Sequence, residues 1–395
     1  MPRILGVIAE YNPFHLGHAH HLQLAREAAG ADYVVVVMSS CFTQRGDAAL
    51  LSPSDRARMA LACGADAVFA LPAAWAVRDA EHFALGGIHL LDALGCTHIS
   101  FGSECADQDL LMRTAALVES PGAAFTQHLR SRLSAGVPYP AALAEAAEEA
   151  LPGAGQLLSS PNSTLAICYL RALLRLHSGM TPVIIPRTSS YHETTLGTGF
   201  PSATAIRSAV LRGGWQSVKA AMPESAYDIL AHAVREGRIH RPAALDAALL
   251  YRLRCMSAEE YAALPDLSEG VESRLRAAAA SSCTREELLL SAKTRRYPYA
   301  RLSRMATHAL LGVTETFLKE TALPDAAWLL GFRKEARPLL AHLKADSRIP
   351  LIAKASDHTD AAPWFELEQR AYDLWALGAG LPAGLAMQQG VAVVD

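Results

Sequence analysis

The chain has 395 residues, 51% of them hydrophobic and 19% charged. That apolar content excludes an intrinsically disordered protein, and the length exceeds what one core usually serves, so two domains, or one large domain with an appendage, are expected. A formal net charge of −3, from 36 Lys+Arg against 39 Asp+Glu, excludes a polycation that coats nucleic acid and leaves only a local basic patch for that purpose.

From residue 1 to about 212 the chain alternates short apolar runs with amphipathic stretches. Strands are expected at Arg3–Ala9, Tyr33–Ser39, Asp66–Leu71, Thr97–Gly102 and Pro182–Arg187. Helices are expected at Gly17–Ala29, Pro53–Cys63, Asp79–Leu94 and Pro161–Leu176, with an Ala-rich helical insertion over about 107–150. Continuous apolar strands separated by helices specify a doubly wound α/β fold, a parallel sheet covered on both faces, in which ligands bind beyond the carboxyl ends of the strands. After Gly213-Gly214 the pattern changes. Residues 213–395 show little period-two alternation and many helical segments broken by prolines, with a capping box at Thr284-Arg285-Glu286-Glu287, so this half reads as a helical domain packed on the first. The seven cysteines are scattered without a C-x-x-C pair, which argues against a disulfide framework or a structural zinc. No apolar run is long enough for a bilayer, and Glu10 interrupts any signal-peptide core, so a cytoplasmic protein is expected.

The chemistry concentrates where the first strand ends. Glu10-Tyr11-Asn12-Pro13-Phe14-His15-Leu16-Gly17-His18 runs from strand to helix, and Gly17 permits close backbone approach at the helix start. Helix N-termini bind anions through unpaired N–H groups, and His15 and His18 are spaced to converge on one phosphate and stabilise charge that grows during attack at phosphorus. A helix cap or a metal site is the competing reading of the same two histidines. A second phosphate element is Phe200-Pro201-Ser202-Ala203-Thr204-Ala205-Ile206-Arg207, where Ser202 suits an N-cap, Thr204 the first turn and Arg207 the next. Further on, Lys293, Arg295, Arg296, Arg301 and Arg304 cluster without an acidic residue around Tyr297 and Tyr299. Cations suit phosphates and aromatic faces suit unstacked bases; a solvated helix face is the plain alternative.

An H-x-G-H signature after the first strand and an S-x-T-x-I-R signature after the last resemble the HIGH-type nucleotidyltransferase superfamily, whose catalytic domain is Rossmann-like. Over nearly its whole length the chain resembles the bacterial tRNA(Met) cytidine acetate ligase family. The matching segments are Gly6–His18, Phe42–Asp47, Phe101–Glu104, Ser160–Asn162, Ser202–Arg207 and Lys293–Arg304. Ser163-Thr164 departs from the family pattern and leaves Asn162 as the position to carry over. The resemblance implies an ATP-dependent ligase that forms acetyl-adenylate and passes acetate to N4 of the wobble cytidine of elongator tRNA(Met), giving N4-acetylcytidine. It implies that His15 and His18 are catalytic. The nucleotide cradle would comprise Ile8, Ala9, Glu10, Tyr11, Asn12, Pro13, Phe14, His15, Leu16, Gly17, His18, Ala19, His20 and His21, with Gly102, Asn162, Arg187, Ser202, Thr204 and Arg207. Mg²⁺ would accompany the triphosphate, with Glu104 and Asp47 as candidate ligands. Arg45 and the Lys293–Arg304 cluster would meet RNA. Two other readings share the phosphate motifs: a nucleotidyltransferase acting on a small phosphorylated acceptor, and a non-catalytic RNA-binding protein on a nucleotide-binding fold. No resident metal site is expected, and the oligomeric state is open.

Overall fold

The structure, a computed structural model, describes residues 1–395 apart from 187–201, 269, 322, 355–361 and 389. Among the described residues eight strands form one sheet: β1 Ile4–Ala9, β2 Tyr33–Ser39, β3 Ala67–Leu71, β4 His98–Ser103, β5 Thr181–Pro186, β6 Ala327–Arg333, β7 Leu351–Ile352 and β8 Ala392–Val394. Their order is β5-β4-β1-β2-β3-β6-β7, with β8 also on β6. Of the pairings among these strands, β3–β6 alone is antiparallel. β1 lies at the centre, with Val7 opposite Val36 of β2 on one side and Ser100 of β4 on the other. The chain moves outward from β1 through β2 to β3, then crosses back to β4 and β5. The edge between β1 and β4 is therefore the switch point where a doubly wound sheet opens a crevice.

The valines of β2 are fully buried on both faces because helices cover the sheet on each side. One of them, Ala80–Ala93, lies close against β1: a Cβ on its Gly87 would sit 2.6 Å from Ile8 Cδ1. The insertion folds as three helices, Gln108–Glu119, Ala123–Ser134 and Tyr139–Ala150, around a small core of their own.

The second half departs from the all-helical expectation. Ala327–Arg333, Leu351–Ile352 and Ala392–Val394 extend the sheet on its β3 side. The run Ala-Trp-Leu-Leu-Gly-Phe is apolar at successive positions because both of its faces are covered, so it has no period-two signature. Residues 218–233 and 311–376 share the sheet's hydrophobic core, whereas residues 249–309 form a separate helical core. That helical unit clamps the 40–51 loop that follows β2. Arg285 pairs with Asp47 at 2.8 Å and donates to Gly46 O at 3.0 Å; from other parts of the second half, His240 N donates to Leu50 O at 2.9 Å and Trp375 Nε1 to Ala49 O at 2.7 Å. Thr284 caps the Arg285–Ala292 helix, accepting from Glu287 N at 3.1 Å. Among the described residues no helix is long and apolar enough to cross a membrane, and all seven cysteines are free thiols.

Candidate active site

The β1 strand ends at Ala9, and Tyr11 (φ 45°) turns the chain into a loop that enters the Leu16–Ala29 helix. His15 is the N-cap of that helix: its Nδ1 accepts from Gly17 N at 3.1 Å, while its own backbone N–H donates to His18 Nδ1 at 3.3 Å. Each imidazole thus uses Nδ1 as an acceptor, a pattern that puts the ring proton on Nε2. The rings stack with centroids 3.7 Å apart, and Tyr11 and Phe14 pack against His18 at 4.8 and 5.5 Å. The cap reading and the phosphate reading are therefore compatible: one nitrogen of each ring shapes the turn at a helix N-terminus, and the other carries the proton.

The late motif meets this loop. Ser202 caps the Ala203–Leu211 helix, accepting from Ala205 N at 3.2 Å. One turn on, Arg207 Nη1 donates to Asn12 O at 2.7 Å and Nη2 donates to Thr204 Oγ1 at 3.1 Å. Two segments 195 residues apart are joined here by a guanidinium at the carboxyl end of β1. Glu10 lies beneath them, half-buried and accepting from Gln44 N at 2.7 Å. Burial pushes its carboxyl pKa up, opposed by that hydrogen bond and by the charges of Arg207 and Arg45. Arg45 is exposed beside the crevice.

From the neighbouring strand, Gly102 near the end of β4 pairs with Ile185, and Ser103 and Glu104 lead to the Pro161–Arg175 helix. Glu104 accepts from Asn162 N at 3.1 Å, Asn162 Nδ2 at 2.6 Å, Ser163 N at 2.7 Å and Ser163 Oγ at 2.7 Å. Partial burial works against ionisation, but these four donors hold the carboxyl below its usual range. Ser163, the departure from the family pattern, is thus one of the donors that anchor Glu104.

Other expected positions fall less centrally. His21 Nε2 lies 3.2 Å from Ser100 Oγ on β4, and His20 is exposed on the outer side of its helix. Ile8 and Ala9 end β1, Asn12 and Pro13 lie in the loop after it, and Leu16, Gly17 and Ala19 open the Leu16–Ala29 helix. Arg187 lies outside the described residues. Glu104 and Asp47 do not fit a metal site, since one caps a helix and the other pairs with Arg285. Among the described residues no group of three or more His, Cys, Asp or Glu is placed to hold a metal ion.

The basic cluster needs correction in part. Lys293, Arg295 and Arg296 are exposed. Tyr297 is 5% exposed, packed in the helical core with Arg296 and Arg301 over its ring, and is not a stacking platform for a base. On the Tyr299–Leu311 helix, Arg301 Nε donates to Asp266 O at 3.0 Å and buried Arg304 pairs with Asp266 at 3.2 Å. The side taken as a basic face turns inward there, because Asp266 lies outside the cluster and far from it in sequence.

Sequence reasoning missed Arg56. It sits within the Pro53–Ala62 helix, is completely buried, and donates to Glu10 O at 2.7 Å, Ser39 O at 2.9 Å, Leu51 O at 3.2 Å and Ser40 O. It ties the ends of β1 and β2 together beneath the loop. Burial brings its pKa down to about 10, still far above neutrality.

Comparison with known proteins matches residues 2–384 to the family model described as HIGH Nucleotidyl Transferase. The chain is 34% identical over 360 residues to a Fervidobacterium nodosum protein named tRNA(Met) cytidine acetate ligase, covering 90% of this chain and 84% of that one. It is 35% identical over 401 residues to one of the same name from Acetivibrio thermocellus, covering 96% of each. Among solved structures it resembles Thermotoga maritima TmcAL bound with alpha-thio ATP, with a TM-score of 0.89 at 27% identity over 99% of both chains.

Proposed function

As a member of the tRNA(Met) cytidine acetate ligase family of HIGH nucleotidyltransferases, the chain is, we propose, an enzyme that activates acetate with ATP and transfers the acetyl group to N4 of the wobble cytidine of elongator tRNA(Met). The observation that carries this reading is the Arg207–Asn12 bond of 2.7 Å, which unites the two phosphate-binding motifs. In the first step an acetate oxygen attacks the α-phosphorus and pyrophosphate leaves. The Nε2–H groups of His15 and His18 and the Arg207 guanidinium stabilise charge as it moves onto the phosphate oxygens. In the second step N4 attacks the acetyl carbon, and AMP leaves carrying one acetate oxygen.

The cradle around ATP is assigned to residues 8–21 with Gly102, Asn162, Ser202, Thr204 and Arg207. Mg²⁺ would accompany the triphosphate and neutralise part of its charge. For RNA, exposed Lys293, Arg295 and Arg296 supply phosphate contacts on the helical unit, with Arg45 at the crevice. The test is incubation with ATP, Mg²⁺, acetate and unmodified elongator tRNA(Met), followed by nucleoside mass spectrometry. N4-acetylcytidine at the wobble position is expected; ATP consumption with an unmodified tRNA overturns the assignment of acceptor.

A further inference from the structure

Acetyl transfer to an amine leaves one proton to be placed. As N4 of cytidine attacks the acetyl carbon, the C–N bond forms, the bond to the AMP oxygen breaks, and the amine must shed a hydrogen. The N4 lone pair is delocalised into the ring, so the amine attacks poorly unless that proton is taken as the bond forms. General-base help of this kind contributes about 10²- to 10⁴-fold.

Few groups around the cradle can take the proton. His15 and His18 carry theirs on Nε2 and use Nδ1 within the helix turn, so neither ring offers an open lone pair. Glu104 has both oxygens filled by donors from Asn162 and Ser163. Asp47 pairs with Arg285 at 2.8 Å. The Tyr11 hydroxyl is enclosed, and burial raises its pKa far above neutrality. Glu10 differs from all of these. Its Oε1 accepts from Gln44 N at 2.7 Å, whereas its Oε2 accepts no hydrogen bond among the described residues. The residue is only half-buried, and Oε2, unlike the Tyr11 hydroxyl, is not enclosed.

Its position also suits the task. Glu10 directly follows β1, and two residues on, Asn12 O accepts from Arg207 at 2.7 Å. On its other side it holds Gln44, the neighbour of Arg45, whose carbonyl accepts from Ser303 Oγ of the helical unit at 2.5 Å. Arg207 and Arg45 both lie close enough to act on the Glu10 charge. The carboxylate therefore stands between a guanidinium assigned to the phosphates and one assigned to RNA. Holding the 42–47 loop requires an acceptor at this position but no charge, and glutamine would serve. Holding a triphosphate is hindered by a negative charge, since like charges repel. Burial raises the Glu10 pKa, opposed by Arg207 and Arg45 and reinforced by Asp47, while Arg56 donates to its backbone carbonyl. That direction brings the carboxyl closer to the range in which a base works best at neutral pH.

We propose that Glu10 is the general base of acetyl transfer: Oε2 takes the proton from N4 as the C–N bond forms, AMP leaves with the electron pair of the broken C–O bond, and the carboxyl then returns the proton to water. The assignment rests on the ligase reading for the identity of both substrates.

The test is Glu10→Gln, which keeps the shape of the side chain and an acceptor for Gln44 N, so the melting midpoint should hold. Acetyl-adenylate is formed on the enzyme from ATP and labelled acetate with pyrophosphatase present. It is then mixed with saturating unmodified elongator tRNA(Met) or, separately, with hydroxylamine, a nucleophile strong enough to need no base. Single-turnover transfer to tRNA should fall about a hundredfold or more in the variant, far more than acetate-driven ATP–pyrophosphate exchange falls. Hydroxylamine should take the acetyl group from both proteins at similar rates. In the native protein, transfer to tRNA should slow as the pH is lowered below neutrality and Glu10 is protonated, and this limb should be missing from the variant. Equal losses in exchange and transfer, transfer close to the native rate, or a pH limb kept in Glu10→Gln overturns the assignment. A native transfer rate that does not change with pH overturns it without recourse to any variant. Absence of acetate-driven exchange in the native protein overturns the ligase reading itself, whereas native exchange and transfer with equal losses in Glu10→Gln overturn only the role of Glu10.

Discussion

The Arg207 guanidinium is the most informative single group to remove. In Arg207→Met the shape of the side chain is largely kept, but the bond to Asn12 O at 2.7 Å and the bond to Thr204 Oγ1 at 3.1 Å are lost. A hydrogen bond from a charged donor contributes about 1.5–3 kcal/mol, and 1.4 kcal/mol corresponds to a factor of ten, so the alignment of the two motifs should weaken by roughly 10- to 150-fold. The loss should appear as kcat/KM for ATP in acetate-driven ATP–pyrophosphate exchange, with little change in the thermal midpoint. Arg207→Lys should restore only part of it, because a single ammonium lacks the planar fork that reaches both acceptors. Thr204→Val removes only the weaker partner, and a loss of about fivefold or less is expected. If Arg207→Met exchanges pyrophosphate within about twofold of the native protein, the convergence of the two motifs has no part in catalysis.

Three further outcomes are expected. His15→Asn keeps an N-cap side chain but removes the Nε2–H donor, so the melting midpoint should hold while exchange falls about a hundredfold; an equal fall in both would mean that His15 serves the fold alone. Gly46→Ala places a Cβ 2.9 Å from Ser303 O at φ +81°, where both partners are backbone, and at least about 1–2 kcal/mol should be lost in denaturant unfolding; full stability would contradict the docking of this loop on the helical unit. Glu368, fully buried with Ala73 N donating to it at 2.6 Å, has its pKa raised by burial from 4.5 to about 7. Between those values the folded state binds more protons than the unfolded one, so this group's contribution to stability declines as pH rises, by about 3 kcal/mol in all at about 1.36 kcal/mol per unit. Glu368→Gln should flatten that slope between pH 5 and 7 in urea titrations, and an unchanged slope would show that Glu368 is not its source.

The parts of the fold that were legible in the sequence are those in which one physical constraint acts alone. Tyr33–Ser39 is a run of valines, and its bounds as a strand are those expected from composition. Ser202, Thr204 and Arg207 took the expected cap, first-turn and next-turn positions. The extension of the sheet beyond β3 was not legible: Ala327–Arg333 lies between helical segments, and burial of successive residues erases alternation. Arg56 was hidden for the opposite reason, since an arginine in an amphipathic helix reads as solvated until four carbonyls from strand ends and a loop are seen around it. In the Lys293–Arg304 cluster, charge pattern alone could not separate exposed Lys293, Arg295 and Arg296 from Arg304, because the partner that turns Arg304 inward is Asp266, 38 residues away. Gln44 holds Glu10 with its backbone and the Arg78 carbonyl with its side chain, contacts that a polar residue in a loop does not announce.

Acetate labelled with ¹⁸O follows the transferred atom most directly. With ATP and tRNA present, the label should appear in AMP, one oxygen per turnover, because the acetate oxygen bonded to the α-phosphorus stays there when the amine takes the acetyl group. Label in inorganic phosphate with ADP formed, or unlabelled AMP beside acetylated RNA, would mean that attack occurs elsewhere and that the paired histidines and Arg207 do not surround the reacting phosphorus.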